Sequence, residues 1–478
     1  MDRYADPEFK RELFREIRST IERTDQQTAQ IVSIVGMRQV GKSTMMRQII
    51  RDLLRRTNNP IDAERILYVS FDDQYLQTRL THDDMFEKVI DAYVSGVLHE
   101  PLDALTRPLY FFFDEINALH DFEKIMKTYY DRHYNIRYCI TGSSAVILRQ
   151  GSRESLIGRR REFVLSPFSF HEYFKYHLTQ ERKHDGLSGV LDSLQAVRIA
   201  FAQSHDLEKL YRNTEKAYTE LSKNHKSLIR EHLSSFVIDS GFPRAWTERE
   251  SPLSKQKFLW EQHVEKVLFV DLFEAVKFRK PKELERLFAV LVEQNGSELT
   301  QPDLQRILGM KSVLTLEKYV GYLCDLSLIY RLDKTKTPRM GIKKRSGYVK
   351  YYLTDIALRH AFYKKDVRVF DDPNEIGKIA ENLVCVALQN FLLLGTSMAD
   401  SLAYYRNGNK EVDFILKTGA VVLPIEVKFR NDIPGLSALD ELCAKWGLTQ
   451  SMVITKDHDL AFNKGRLSIP LWFFLLIF

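Results

Sequence analysis

A chain of 478 residues exceeds what one ordinary core organises, and typical domain sizes divide it into roughly three. Hydrophobic residues at 44% and charged residues at 28% are ordinary for a folded soluble protein, and the net charge of +6 permits a nucleic-acid partner without demanding one. The four cysteines (Cys139, Cys324, Cys385 and Cys443) form no CxxC pair, which excludes a disulfide framework and a zinc knuckle and points to a reducing, cytoplasmic compartment.

The opening Met1-Asp2-Arg3-Tyr4 is polar and charged, so no signal peptide is read there, and residues 1–28 are helix-compatible. Ile31–Val35 is a short β-branched run that predicts a buried strand. An amphipathic helix is expected over Ser43–Leu54. Further strands are expected at Ile66–Phe71, Leu109–Phe113 and Ile136–Ile140, with helical patterns between them. The first ~170 residues therefore predict a parallel α/β sheet with crossover helices. Phe170 to Phe278 is helical and charged, broken by Gly241-Phe242-Pro243, and α/β patterning returns from Glu375. The apolar run Ile469–Phe478 is too short to span a bilayer. It predicts a buried strand pair or strand–helix, with a membrane-surface anchor as the lesser alternative.

Gly36-Met37-Arg38-Gln39-Val40-Gly41-Lys42-Ser43 fits G-x-x-x-x-G-K-[ST] between a predicted strand and a predicted helix. Glycines let consecutive N–H groups turn inward on phosphates, and the helix start, through Thr44, adds free amides and its dipole. Lys42 is expected to reach the β- and γ-phosphates of ATP, and the Ser43 hydroxyl to bind Mg²⁺. Leu109-Tyr110-Phe111-Phe112-Phe113-Asp114-Glu115 places two carboxylates at the carboxyl edge of the sheet. Asp114 would hold Mg²⁺ through its water shell, and Glu115 would orient or deprotonate the attacking water. At Thr141-Gly142-Ser143-Ser144, Ser143 is the first choice and Thr141 the second for a polar group near the γ-phosphate, while Ser144 equally suits a helix cap.

This order of motifs resembles the AAA+ class of P-loop ATPases. More closely, the chain is similar to prokaryotic ATP-binding proteins that join such a core to a C-terminal domain of unknown function with nuclease-like motifs. The likeness rests on Thr141-Gly142-Ser143-Ser144, Leu156-Ile157-Gly158-Arg159, Pro167-Phe168-Ser169-Phe170-His171-Glu172, Gly241-Phe242-Pro243 and the C-terminal carboxylates. The resemblance implies a homo-oligomeric, hexameric ring in which an arginine reaches a neighbour's γ-phosphate. It places that arginine in Gly158-Arg159-Arg160-Arg161, with Arg159 the best match. The competing reading is a basic surface turn before the fifth strand. Arg244 would sense the nucleotide from a lid, whose helical stretch over 176–230 is longer than the family pattern.

From Leu287 to Leu353 the elements run helix, polar turn, short helix (Gln301–Leu308), longer helix (Thr315–Leu326), apolar stretch, Lys343-Lys344-Arg345 and strand (Tyr348–Leu353). This suits a winged helix-turn-helix that binds DNA phosphates through a basic wing, or a protein-interaction module of the same shape. Farther on, Glu381 lies on a helix. Asp413 and Glu426, on two predicted strands of a hairpin, would stand side by side with Lys428 on the same face as Glu426. That arrangement resembles the D…E-x-K signature of PD-(D/E)xK nucleases, and it implies Mg²⁺ held by Glu381, Asp413 and Glu426 with Lys428 at the scissile phosphate. A retained but inactive fold is the alternative.

The expected fold is α/β, with a parallel-sheet P-loop core (1–170), helical lid (171–280), winged helix (281–356) and C-terminal α/β nuclease-like domain (357–478). The leading expectation is an ATPase that binds and remodels DNA, forked or branched, as a ring. The alternatives are an ATP-gated, Mg²⁺-dependent nuclease of defence or repair, and a nucleotide-dependent signalling or toxin-neutralising switch that holds a protein partner. No membrane partner is expected.

Overall fold

The computed structural model describes residues 8–23, 31–80, 84–119, 122–142, 158–181, 185–247, 251–272, 280–338, 347–363, 367–394, 400–429 and 435–478. The chain divides into two compact units. One comprises Met1–Ser166 and Lys266–Arg279, the other Pro167–Glu265 and Lys280–Phe478.

In the first unit β1 (Ile31–Val35), β2 (Ile66–Ser70), β3 (Leu109–Asp114), β4 (Ile136–Thr141) and β5 (Arg160–Val164) form one parallel sheet in the order β2-β3-β4-β1-β5. A parallel sheet is covered on both faces, which is why its inner strands read as unbroken apolar runs. Every residue of β1, β3 and β4 is buried. Phe111 and Phe113 share one face of β3 and cluster with Phe71, Phe86 and Tyr138. The helix α1 (Lys42–Arg55) buries Met45, Met46, Ile49, Ile50 and Leu53, a stripe at helical spacing against the sheet.

The second unit is built on a nine-stranded mixed sheet in the order β13-β14-β12-β11-β10-β9-β7-β8-β6. It opens with the helices α2 (Phe170–Glu181), α3 (Asp185–Ser204), α4 (Leu207–Asn224) and α5 (Lys226–Asp239). There follow α6 (Pro281–Glu293), β6 (Glu298–Thr300), α7 (Gln301–Leu308), α8 (Val313–Asp325), β7 (Ile329–Thr335) and β8 (Tyr348–Leu353). Strand β8 pairs antiparallel with both β6 and β7, and β7 joins β9 (Ser401–Asn407) in parallel. After α9 (Pro373–Leu392) come β9, β10 (Lys410–Thr418), β11 (Val421–Lys428), α10 (Ser437–Trp446) and β12 (Ser451–Thr455), an αβββαβ run. The strands β13 (Ala461–Asn463) and β14 (Arg466–Pro470) and the helix α11 (Leu471–Ile477) complete the unit. In β10 a register shift between Val412 and Ile415 interrupts the alternation of side chains. Phe414 and Leu416 face the large core beneath α9 and α11, whereas Val412 and Ile415 face Leu439 and Leu442 of α10.

The compact units divide after 166 and after 279, close to the boundaries expected at 170 and 280, and also after 265, while no division falls at 356. Helices α2 to α5, expected as a lid, bury Phe170, Tyr173, Phe174, Leu191, Leu221 and Phe236 in one core with α9 and α11. An amphipathic stripe states that a helix must be covered but not by which neighbour. Two motifs 74 residues apart, Pro167-Phe168 and Gly241-Phe242-Pro243, meet here. The Phe168 amide donates to the Gly241 carbonyl at 2.8 Å, and a Cβ on Gly241 would stand 2.6 Å from the Phe168 carbonyl oxygen, so only glycine fits. The Gly241 amide in turn donates to the buried Asp355 carboxylate at 2.6 Å. Burial pushes that carboxyl up to about 6, although the bonds from the Gly241 and Ala357 amides partly offset it. The terminal apolar run is a strand end followed by the buried helix α11, and no helix among the described residues is long and apolar enough to cross a membrane.

Candidate nucleotide site and a buried carboxylate cluster

The loop between β1 and α1 is shaped by backbone that few side chains permit. A Cβ on Gly36 would lie 2.2 Å from the Leu165 carbonyl oxygen, so the loop can pass β5 this closely only as glycine. Gln39 (φ +61°) and Gly41 (φ +100°) take left-handed conformations, which turn the chain over before α1 begins at Lys42. Arg11 donates to the Val40 carbonyl at 3.1 Å and the Ser166 carbonyl at 3.0 Å, pinning the loop from outside. Inside it, Lys42 is 4% exposed and its Nζ donates to the carbonyls of Gly36 (3.1 Å) and Met37 (2.8 Å). Burial pushes this ammonium down, while Glu115 and Asp114 push it back up. A buried cation with this surplus of acid nearby is the charge pattern that a Mg²⁺-bound polyphosphate completes.

Asp114 ends β3, fully packed, and is held from two neighbouring strands. Tyr68 of β2 donates to its Oδ2 at 3.0 Å and Thr141 of β4 to its Oδ1. The Thr141 hydroxyl also accepts from the Glu115 amide at 3.1 Å. Glu115 itself is left-handed (φ +47°), a strained turn for a β-carbon residue at the strand's end. Thr141, the second choice from sequence, thus fixes both acidic residues. The first choice, Ser143, lies outside the described residues, as does Lys343-Lys344-Arg345.

The arginines of 159–161 are not one surface turn, since Arg160 and Arg161 are part of β5. Arg159 pairs with Asp131 at 2.9 Å, Arg160 with Glu162 and Arg161 with Glu16. Arg160 lies beside Ile31, the first residue of β1, whereas the phosphate loop follows the last, Val35. At about 3.3 Å per residue this puts Arg159 on the order of 15 Å from its own loop, on the opposite sheet edge. In the second unit, Arg244 follows the Gly241-Phe242-Pro243 turn, exposed and 5.9 Å from the Phe258 ring centroid.

The C-terminal carboxylates do converge. Strands β10 and β11 pair antiparallel with Phe414 opposite Ile425, which sets Asp413 beside Glu426, and Asp413 accepts from the Val427 amide at 2.8 Å. One extra residue on β10 between Val412 and Ile415 breaks the register with β9, a bulge that re-aims Asp413. Burial, with Glu381 and Glu426 nearby, pushes the Asp413 carboxyl well up; burial also raises Glu426, against the pull of Lys428. The chain's own cations engage members of the expected metal set. Glu381 is taken up by Lys350 of β8 at 3.0 Å and by the Tyr352 hydroxyl. Among the described residues no group of three or more His, Cys, Asp or Glu is placed to hold a metal ion. The nucleotide site makes no such demand, because Mg²⁺ there takes one or two protein oxygens together with phosphate and water.

Residues 28–174 match a family model described as an AAA domain. The first unit carries an AAA domain. Two further models, described as domains of unknown function (DUF8612 and DUF4143), match residues 230–368 and 376–474. An uncharacterised protein of Methanocaldococcus jannaschii is 24% identical over 392 residues, which span 80% of this chain and 71% of that one. One of Haemophilus influenzae is 24% identical over 402 residues, 83% and 82% of the two chains. Among solved structures, the Aeropyrum pernix Orc1 protein in complex with DNA is 13% identical with a TM-score of 0.32, covering 75% of this chain and 94% of its own. The Thermotoga maritima RuvB Holliday junction branch migration motor is 15% identical with a TM-score of 0.26, covering 68% and 90%. Both structural likenesses are too distant to build on.

Sequence reasoning missed one participant in the first unit. Asp271, almost fully buried, returns with the segment Lys266–Arg279 and pairs with Arg38 of the phosphate loop through two contacts of 2.5 Å. Its only signal is an acid closing the apolar run Val267-Leu268-Phe269-Val270. Arg38→Ala leaves that carboxylate buried without its guanidinium and is expected to cost about 3 kcal/mol. Asp271→Ala leaves the more exposed Arg38 to reach water and is expected to cost about 1–2 kcal/mol. Denaturant unfolding of both single variants and the double variant should give a coupling energy of at least ~1 kcal/mol. Strict additivity would remove the pair from the account of the loop.

Proposed function

We propose that this chain is an ATP-hydrolysing AAA+ protein that couples nucleotide turnover in its first unit to the binding and remodelling of DNA. The observation that carries the ATPase part is the placement of Lys42, inside a loop that only glycines can form, within electrostatic reach of Asp114 and Glu115. In this reading Gly36 to Thr44 cradle the phosphates, and Ser43 with Asp114 holds the Mg²⁺ that neutralises them. Tyr68 and Thr141 fix the Asp114 carboxylate, and Glu115 orients the attacking water. Arg159, on the sheet edge away from its own loop, is not placed to act on its own nucleotide, so in this reading it acts on that of another copy in a homo-oligomeric ring.

The DNA part rests on the second unit. Residues 281–353 run helix, strand, two helices and two strands, with the three strands paired antiparallel in the order β6-β8-β7. This is the element order of a winged helix-turn-helix, whose α8 would approach a groove while Lys311 and Lys318 meet phosphates. A specific observation favours a second reading. Ile307, Val313 and Leu314 are exposed on α7 and α8, Leu314 at 84%, and such an apolar tip suits a protein partner in a nucleotide-dependent switch.

An ATPase assay with single-stranded, duplex and forked DNA, run beside filter binding at low salt, separates the two. Stimulation by one DNA form, with affinity falling steeply as salt rises, is the expected result. No DNA binding at low salt would refute the DNA part and leave the switch.

A further inference from the structure

We infer that the Lys350 ammonium is a resident cation of the carboxylate cluster in the second unit, standing where a divalent metal would have to bind, so that this cluster does not take up Mg²⁺ or Mn²⁺. Lys350 projects from β8, the strand that is paired on both sides by β6 and β7, so its backbone cannot withdraw without breaking that sheet. Its side chain is 3% exposed. The Nζ lies 3.0 Å from Glu381 Oε1 and 2.5 Å from Glu411 Oε1, and so links the helix α9 to the start of β10.

The oxygens that face Lys350 are already engaged. A carboxylate oxygen offers about two, and Glu381 Oε1 spends them on Lys350 and on the Tyr352 hydroxyl. Glu411 gives its other oxygen to Arg406 at 3.4 Å, and Lys428 binds Glu426 at Oε1, which leaves the buried Oε2 as the one oxygen of Glu426 without a hydrogen-bond partner among the described residues. A metal ion needs oxygens at about 2.0–2.6 Å on several sides, with water able to enter, and the lysine holds that position. The charge account agrees, since an acid cluster this buried requires a cation and here the chain supplies it covalently. A lysine tethered by its own strand is not diluted by chelators, whereas a metal would be.

The test rests on the cluster alone, because Mn²⁺ is titrated into the nucleotide-free full-length chain and read by electron paramagnetic resonance, apart from any ATPase activity. Wild type and Glu426→Gln are expected to bind Mn²⁺ alike. Lys350→Met is expected to gain one Mn²⁺ site at least about tenfold tighter than any in wild type, and Lys350→Met/Glu426→Gln to lose it again. A wild-type Mn²⁺ site that disappears in Glu426→Gln would overturn the inference, and so would a folded Lys350→Met that gains none. Should Lys350→Met not fold, the wild-type and Glu426→Gln pair decides the question by itself.

Discussion

Lys42→Ala should abolish ATP binding, and Glu115→Gln should leave binding intact while stalling hydrolysis. The two effects separate because the residues act at different stages. Lys42 is buried, its Nζ bonded to its own loop's carbonyls at 2.8 and 3.1 Å, and its charge is disfavoured by burial. Glu115 and Asp114 only partly offset that burial, so a triphosphate adds counter-charge to the ammonium and removing the lysine costs the bound state this interaction. Truncating one partner of a buried charge pair typically costs about 2–5 kcal/mol, or roughly 30- to 4,000-fold in affinity. Glu115 contributes through its carboxylate to the attacking water, and its backbone is already fixed by Thr141. Gln keeps the shape and loses the base, for which a rate loss of about 10²–10⁴ is typical. A fluorescent-nucleotide titration and single-turnover hydrolysis measure the two effects independently. Unchanged turnover in Glu115→Gln would remove it from the water-activating role, and near-normal ATP affinity in Lys42→Ala would end the case for a phosphate-binding loop.

The nucleotide site was legible because its parts are local. Gly36 to Ser43 is one unbroken stretch, and Asp114 and Glu115 follow their strand directly, so a parallel sheet brings the pieces to one edge whatever the helices do. The strand register was legible for the same reason at Asp413 and Glu426, where a hairpin fixes the neighbours. What escaped depends on long separations. Asp271 meets Arg38 across 233 positions, and its acid looked like any helix end. Lys350 sits in a strand read as part of a DNA-binding wing, and nothing local says that its side chain enters a carboxylate cluster belonging to α9 and β10. The bulge before Ile415 was invisible because alternation through Glu411 to Phe414 continues without a glycine to mark it. The stretch from Phe170 to Asp239 showed itself as helical and charged, but a helical pattern carries no address for the residues it buries.

That last point reaches function. Because α2 to α5 share a core with α9 and α11, the segments matched to the two domains of unknown function are not independent appendages. Both contribute to the nine-stranded sheet through the β7–β9 pairing. The second unit is therefore built as one body, with no detachable nuclease-like tail.

Removing Leu471–Phe478 is expected to prevent the second unit from folding. All eight side chains are buried, none beyond 4% exposure. Trp472 stacks on Tyr218 at 5.8 Å, and Phe478 lies 5.3 Å from Phe391 and 5.7 Å from Phe201, so the helix touches α4, α9 and α3 at once. Its carbonyls are claimed as well, with Leu476 bonded by the His171 ring at 2.7 Å. At about 1.5–3 kcal/mol for each large apolar side chain buried, the eight together supply roughly 12–24 kcal/mol. Whole domains are stable by only about 5–15 kcal/mol. The truncated chain should expose apolar surface to a hydrophobic dye and lose cooperative unfolding of this unit, and Trp472→Ala alone should cost about 3–5 kcal/mol. A truncated protein that still melts cooperatively within a few degrees of the full chain would mean that α11 covers the core without completing it. The expected outcome is the reverse, because the helix is enclosed by elements drawn from both ends of the unit and nothing else among the described residues fills the space between them.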